Sequence, residues 1–190
     1  MRFSYRTEQW LAHPVAEVFA FFADPGNLPA LMPPWQRARV ESAAIVSASV
    51  PEPQSDVAAA AGTAAGVGSR ITLSFRPFPF APFRLRWQAE IVAFAWNDFF
   101  RDRQVFFRDR QVQGPFAYWS HCHTVRSMEQ SGIAGCVVED HVEYELPFGA
   151  MGTLAHRLFL RRQIERTFAY RQRQLEKIFA QANLKSTERK

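Results

Sequence analysis

The sequence predicts an α+β fold: a curved antiparallel sheet of about six to seven strands, wrapped around one long C-terminal helix. Two observations support this. Segments in which apolar and polar residues alternate recur up to residue 146, and a long segment with helical periodicity ends the chain. A run of strands that is followed by a helix is typical of α+β domains with an antiparallel sheet.

The first elements are a strand and two short helices. Residues 3–11 alternate loosely and predict the first strand. Pro14 suits the first turn of a helix, where its missing donor costs nothing, and apolar residues then recur at helical spacing through 14–23. After the break at 24–27, residues 28–32 fit one further helical turn.

Six further strands follow these helices. Four of them are predicted at 38–50, 69–75, 84–95 and 116–128. Residues 51–68 are rich in Ala, Gly, Pro and Ser, and we expect them to form a long mobile loop. Prolines in 76–83 remove backbone donors, so this stretch is expected to be a bend with exposed rings.

A heptad repeat lies in the middle of the sheet. The letters FFRDRQV at 99–105 recur at 106–112, after a hairpin turn that we expect at 96–98. Because seven is odd, an unbroken strand would swap the faces of the two copies. We therefore expect a bulge, an enlarged hairpin or an overhang near 98–106.

The last strand and the C-terminal helix complete the fold. After a turn at 132–135, the strand 136–146 places Asp140, Val142, Tyr144 and Leu146 on one face and acidic residues on the other, so the first set is expected inward. Thr153 is the predicted helix cap. A helix of about 28 residues spans roughly 40 Å. Its apolar stripe consists of Leu160, Ile164, Phe168, Leu175, Ile178 and Phe179.

Length and composition indicate one domain. We assign residues 1–182 to a single ligand-binding domain and 183–190 to a polar tail. The 18 Phe residues either fill an aromatic core or line a cavity. The first residues lack the apolar region of a secretory signal, and the two cysteines form no motif, so we expect a reducing cytoplasm. Oligomeric state does not follow from the sequence.

Charge and hydropathy limit the classes of partner that we expect this protein to bind. The net charge is +5, but the basic residues concentrate within the helical pattern, at Arg161, Arg162, Arg166, Arg171, Arg173 and Lys177. They lack the interleaved aromatic residues of a surface that binds single-stranded nucleic acid. We therefore predict a solvated helix face and no nucleic-acid partner. No apolar run is long enough to span a bilayer, so no stable membrane insertion is expected.

Three stretches carry a family resemblance: HPVAEVFAFFADPGNLPALMPP at 13–34, FRDRQVQGPFAYWSHCHT at 107–124 and VVEDHVEYELPFG at 137–149. With the order of elements, they resemble the START/polyketide-cyclase (SRPBCC) superfamily and its helix-grip fold, in particular its bacterial cyclase-like or cell-division-inhibitor-like branch. The resemblance covers nearly the whole chain. It implies a hydrophobic ligand cavity but no single chemistry.

The candidate site centres on alternating residues of one strand. Trp119, His121 and His123 share a face, and the resemblance implies that this face points inward. Neighbouring strands can set acidic and polar partners beside them. The full candidate ligand-binding set is Trp87, Asp109, Gln111, Trp119, His121, His123, Asp140, Tyr144 and Phe168.

Three interpretations of this cluster remain open. The histidines can be buried structural partners of Asp140 or Asp109. The cluster can instead be the polar end of a ligand pocket, with His121, His123 and Asp140 as a catalytic acid–base group in one version. Thirdly, two histidines and an aspartate can hold a metal, although the spacing is common by chance. We predict no metal and no cofactor.

Two functions lead from these observations. The first is a binding or carrier protein for a hydrophobic, lipid- or polyketide-like small molecule, and the second is a cyclase or dehydratase. A protein-interaction module in division or stress regulation is a third, which rests only on the resemblance to the cell-division-inhibitor-like branch.

Four aromatic residues (Phe75, Phe78, Phe80 and Phe83) either pack over the sheet edge or form a pocket rim or a lip that touches membranes.

Overall fold

A computed structural model describes residues 1–48, 65–97 and 104–187. The chain begins with β1 (Arg2–Leu11), α1 (Val15–Ala23) and two 3-10 helices (Pro25–Leu31 and Pro34–Gln36). Six strands follow: β2 (Arg39–Ala44), β3 (Arg70–Phe75), β4 (Leu85–Asn97), β5 (Gln104–Gln113), β6 (Tyr118–Gln130) and β7 (Ile133–Glu145). The C-terminal helix consists of α2 (Gly149–Ala155), a π-helical turn (His156–Leu160) and α3 (Arg161–Thr187).

The seven strands form one antiparallel sheet in the order β1-β7-β6-β5-β4-β3-β2. β1 pairs with the last strand, which joins the two ends of the chain's strand region. The sheet is curved and packs against the C-terminal helix in a helix-grip fold. This confirms the predicted α+β class and the predicted order of elements.

Two apolar clusters hold the C-terminal helix against the sheet. In the first, Leu175 and Phe179 of α3 pack with Phe19 of α1 and with valines of β5, β6 and β7. In the second, Ile164 and Phe168 pack with Val142 and Tyr144 of β7. The predicted apolar stripe therefore faces the sheet. Burial of each large apolar side chain contributes about 2 kcal/mol to the stability of the packed helix.

The start of the C-terminal helix differs from the prediction. Phe148 and Gly149 both have positive φ values, 68° and 52°, and the helix begins directly after this left-handed turn. Thr153 is therefore inside α2 rather than at its cap, and its Oγ1 donates a hydrogen bond to the Gly149 carbonyl. At the other end, the helix runs to Thr187, into the predicted polar tail.

Several strand boundaries also differ. The predicted strand 38–50 ends at Ala44, because Val46 instead forms hydrogen bonds with the Ser69 hydroxyl. The expected hairpin turn at 96–98 is wrong for residues 96 and 97, which continue β4 by pairing with β5. β7 begins earlier than predicted, since the β6–β7 turn needs only Ser131 and Gly132, both with positive φ.

The region 98–106, where the sequence predicts an irregularity, lies mostly outside the described residues. In the described β4–β5 pairing, register shifts lie at Gln88/Ala89 and Ile91/Ala93, opposite residues 108–113 and thus beside the second heptad copy, whereas residues 104–106 pair regularly. Residues 98–103, and with them most of the first heptad copy, lie outside the described residues, as does most of the predicted loop 51–68. Within the described chain, no helix has both the length and the apolar character that crossing a membrane requires.

Candidate functional site

A cavity of about 710 Å³ lies between the sheet and the C-terminal helix. Its volume is within the range of small-molecule binding sites. Strands β3 and β4 contribute Leu73, Trp87 and Ile91, and the helix contributes Ile164 and Phe168, so most of its wall is apolar. The cavity exists because the aromatic residues line the space between sheet and helix without filling it.

A charged cluster interrupts this apolar wall. His121 of β6 lies between two carboxylates: its Nδ1 is 3.2 Å from Asp109 Oδ2 on β5, and its Nε2 is 2.8 Å from Asp140 Oδ1 on β7. Antiparallel pairing places these side chains together, since Asp109 is opposite His121 and Asp140 is opposite His123. The period of two then turns all four inward.

His121 is charged at neutral pH. Burial disfavours the imidazolium, but hydrogen bonds and charges from Asp109 and Asp140 outweigh it and raise the pKa of His121 from 6.5 to about 9. Each ring nitrogen can donate to one carboxylate only when both carry a proton. The imidazolium therefore joins the two acidic groups.

His123 has the opposite character. Its Nδ1 lies 2.7 Å from Asp140 Oδ1, and its ring contacts Phe22 and Phe107. Burial lowers the pKa of His123 to about 4, against the attraction of Asp140. Among the described residues its buried Nε2 has no hydrogen-bond partner, which suits a neutral ring with the proton on Nδ1.

Arg171 supplies the second positive charge. Its Nη1 lies 3.6 Å from Asp140 Oδ1, and its guanidinium lies over the rings of Phe22 and Phe168. Burial opposes ionisation of Asp140, yet Arg171 and the two histidines hold the pKa of that carboxyl well below its usual value. Asp109, His121 and Arg171 all line the cavity, so it has one charged end.

A metal ion is the alternative use of this cluster. The ligand atoms of His121, His123 and Asp140 lie within 4.8 Å of one another. However, Asp140 Oδ1 already has three positively charged or donor groups around it, from His121, His123 and Arg171. Because a metal would have to displace the His121 proton and sit near a guanidinium, the arrangement favours a hydrogen-bonded charge network.

The sequence-predicted residues divide into two groups. Five of them line the cavity: Trp87, Asp109, Trp119, His121 and Phe168. The others lie around it. His123 and Asp140 are behind His121, Tyr144 donates or accepts a hydrogen bond with His156 Nε2, and Gln111 bonds the backbone of Phe116.

Sequence reasoning missed Arg171. We assigned it to a solvated helix face, but its side chain is only 11% exposed and faces the cavity. The spacing carried the signal, because Ile164, Phe168, Arg171 and Leu175 follow one another by three or four residues on one helix face. An arginine in such a stripe is either a charge partner or a pocket residue.

The four aromatic residues near the sheet edge have different environments. Phe75 is 7% exposed, whereas Phe78 and Phe83 are about half exposed and Phe80 is 92% exposed. Phe75 and Phe78 line the cavity. Phe78 and Phe83 contact each other edge to face, but the ring of Phe80 does not pack over the sheet.

Comparison with known proteins identifies relatives of this fold. A family model described as "Polyketide cyclase / dehydrase and lipid transport" matches residues 11–173. No curated protein matches the chain.

Solved structures share the architecture at low sequence identity. A norcoclaurine synthase point mutant from Thalictrum flavum, in complex with a transition state analogue, has a TM-score of 0.54 and 16% identity and covers 96% of this chain and 97% of its own. The protein TTHA0849 from Thermus thermophilus has a TM-score of 0.57 and 19% identity, with coverage of 94% and 98%. At such identities the likeness concerns the fold alone.

Proposed function

Because the chain belongs to the polyketide cyclase/dehydrase and lipid transport family, whose fold binds hydrophobic ligands, we propose that it binds a lipid- or polyketide-like molecule in the cavity. The single observation that carries this proposal is the cavity of about 710 Å³, with a mostly apolar wall that the charged Asp109, His121 and Arg171 interrupt. Such a wall takes an apolar body and orients one polar group.

The charged end indicates which polar group the ligand carries. Asp109 is the most exposed member of the cluster, with 18% of its side chain accessible, and Arg171 also lines the cavity. A carboxylate accepts and a guanidinium donates. A hydroxyl or an enol can do both, whereas a carboxylate ligand would meet repulsion from Asp109. A hydroxyl-bearing apolar molecule therefore suits the site best.

Ligand extraction tests this proposal directly. The purified protein is denatured in organic solvent, and the released small molecules are identified by mass spectrometry beside a mock purification. We expect an apolar compound with at least one hydroxyl or enol group. A protein that releases nothing, and that also fails to bind an added fluorescent fatty-alcohol analogue, would contradict the proposal.

A second candidate function is a cyclase or dehydratase. Its specific support is His121, a protonated imidazole that reaches the cavity wall and is held by Asp109 and Asp140. An imidazolium oriented by carboxylates can donate a proton to the leaving hydroxyl oxygen, and the Asp109 carboxylate, which lines the cavity beside it, can take one from the neighbouring carbon. Loss of water from a β-hydroxy carbonyl compound needs both transfers.

Comparing bound molecules separates the carrier from the enzyme. Wild-type protein and the double variant His121→Gln/His123→Gln are expressed in the same host, and their extracted ligands are compared by mass. A carrier yields the same compound from both, with apolar-probe affinity changed by less than about fivefold. An enzyme yields product from the wild type and, from the variant, a precursor that is heavier by one water.

A further inference from the structure

Exposed apolar side chains concentrate on two segments of the chain. One is the β3–β4 loop, with Phe78, Phe80 and Phe83. The other is the start of the C-terminal helix, with Phe148, Met151, Leu154, Leu158 and Phe159. The exposed fraction reaches 92% at Phe80, 81% at Phe148 and 75% at Met151. We call these eight side chains the apolar lip. Proteins that act alone in water rarely expose so many large apolar groups on adjoining segments.

The two halves of the lip meet at the entrance of the cavity. Gln163 Nε2 donates a hydrogen bond of 2.5 Å to the Pro77 carbonyl, which ties the helix to the loop. Phe78 from the loop and Phe159 from the helix both line the cavity, and each is about half exposed. The cavity therefore reaches the surface between these side chains.

The two segments that carry the lip are rich in arginine. Residues 76–86 and 147–163 contain the six arginines Arg76, Arg84, Arg86, Arg157, Arg161 and Arg162 and no Asp or Glu. Arg86, Arg157, Arg161 and Arg162 are exposed. The nearest acidic residue along the helix is Glu165, which pairs with Arg161 at 3.0 Å. A surface with this composition is complementary to a partner that has a negatively charged outer layer and an apolar interior.

We propose that the apolar lip docks this protein on the surface of an anionic lipid bilayer. The lip side chains enter the boundary between headgroups and acyl chains, and the arginines contact lipid phosphates. This inference rests on the proposed function, because it makes the bilayer the phase with which the cavity exchanges its apolar ligand. A lipid surface fits better than a protein partner, since two lip side chains, Phe78 and Phe159, line the opening through which an apolar molecule must pass.

Vesicle sedimentation tests the docking. The full-length protein is centrifuged with vesicles of phosphatidylcholine alone, or of equal parts phosphatidylcholine and phosphatidylglycerol, at low and at high salt. We expect at least about tenfold stronger binding to the anionic vesicles, weakened by salt. The variants Phe80→Asp and Leu158→Asp should each lose about tenfold in partitioning to anionic vesicles, because a charge then replaces an apolar side chain that enters the bilayer.

The matched control is Ile133→Asp. Ile133 is 55% exposed and lies beside the β6–β7 turn, at the opposite end of the sheet from the lip. The Ile133→Asp variant should bind vesicles within about twofold of wild type. All variants change exposed side chains, and circular dichroism checks that they fold.

Specific outcomes would overturn the docking. These are no sedimentation with anionic vesicles, equal binding to both vesicle types, equal losses for Ile133→Asp and Phe80→Asp, or lip-dependent self-association without vesicle binding. The fluorescent fatty-alcohol analogue, titrated without vesicles, separates the two proposals. If it binds while docking fails, only the docking is wrong; if it does not bind and extraction also releases nothing, the proposed function fails as well.

Discussion

At the scale of single residues, the charged cluster depends on one imidazole that faces two carboxylates. His121 is nearly inaccessible, yet its ring nitrogens both lie within 3.2 Å of carboxylate oxygens. The neighbouring His123 has only one such partner and stays neutral. Burial acts against the charged form of both rings; two carboxylates outweigh it at His121, whereas one carboxylate does not at His123.

The first prediction concerns the pH dependence of stability. Since the folded-state pKa of His121 is about 9 and its ordinary value is 6.5, its stabilisation is fully present below pH 6.5 and is lost as pH rises through 9. The loss is on the order of 3 kcal/mol in the free energy of unfolding. Urea denaturation of wild type and His121→Gln between these pH values measures it.

His141→Gln is the control for this experiment, because His141 lies on the outward face of the same strand that carries Asp140. It should keep the wild-type pH dependence. If His121→Gln also keeps the wild-type pH dependence, the assignment of His121 as an imidazolium between two carboxylates is wrong. His123 works in the other direction: with its pKa lowered to about 4, the stability it contributes falls as pH drops from 6.5 to 4.

The second prediction concerns Arg171. The variant Arg171→Met removes the guanidinium beside Asp140 and leaves a buried carboxylate with one positive partner, His121. We expect a loss of about 3 kcal/mol in the free energy of unfolding. Arg171→Lys should recover part of it. The exposed Arg173→Met, two residues away, should cost less than about 0.5 kcal/mol. Equal effects of the two Met variants in thermal unfolding would contradict the internal ion pair.

At the scale of elements, the C-terminal helix contains a π-helical turn at His156–Leu160. The extra residue of a π turn shifts the register of the helix, and here it lies where the lip segment ends and the cavity-lining face begins. His156 is buried in this turn, stacks on Phe3 at 3.5 Å and forms a 2.9 Å hydrogen bond with Tyr144. These contacts connect the turn to β1 and β7.

The third prediction tests that connection. Tyr144→Phe keeps the ring but removes the partner of His156 Nε2, so we expect a loss of about 1 kcal/mol in the free energy of unfolding. Amide hydrogen exchange should rise mainly at residues 149–160, since the bond holds the start of the helix. Tyr118→Phe, whose ring carries the Arg2 guanidinium, is the control. Unchanged exchange at 149–160 would show that the bond does not hold this segment.

At the scale of the whole molecule, members of both apolar clusters line the cavity. Leu175 and Phe179 lie in one cluster and Ile164 and Phe168 in the other, so the helix is held at two places along its length. A void lined by apolar groups gives up packing contacts, and a bound ligand restores them. This is why ligand binding should raise the stability of the protein.

The fourth prediction fills this void. Ala89 of β4 lines the cavity, and Ala89→Trp should place an indole in it. We expect affinity for the fluorescent fatty-alcohol analogue to fall by at least about tenfold with the thermal midpoint within a few degrees of wild type. Val92→Trp changes an exposed residue of the same strand and should leave the affinity unchanged. Undiminished binding by Ala89→Trp would place the ligand elsewhere.

Local patterns accounted for much of the candidate site. Alternation set Trp119, His121 and His123 on one face, and alternation on β7 set Asp140 and Tyr144 opposite the acidic residues, as the structure shows. The apolar stripe predicted the buried face of the C-terminal helix. These inferences hold because side-chain direction follows from backbone geometry, which neighbouring residues determine.

Boundaries were less predictable for a related reason. Thr153 is a good cap in isolation, but two consecutive left-handed residues at 148 and 149 start the helix earlier. Asn97 favours a turn, yet pairing with β5 extends the strand through it. In both places a contact made by the folded chain outweighed a local preference of a few tenths of a kcal/mol to about one.

The sequence by itself determined the class of fold, the order of its elements and which residues share one face of a strand or helix, because these follow from periodicities of two and 3.6 residues. Only the tertiary structure decided that Arg171 points inward, that one histidine is charged and the other neutral, and that an open cavity with an exposed apolar lip remains. Those properties depend on distances between residues far apart in the chain, and such distances exist only after the sheet has closed on the helix.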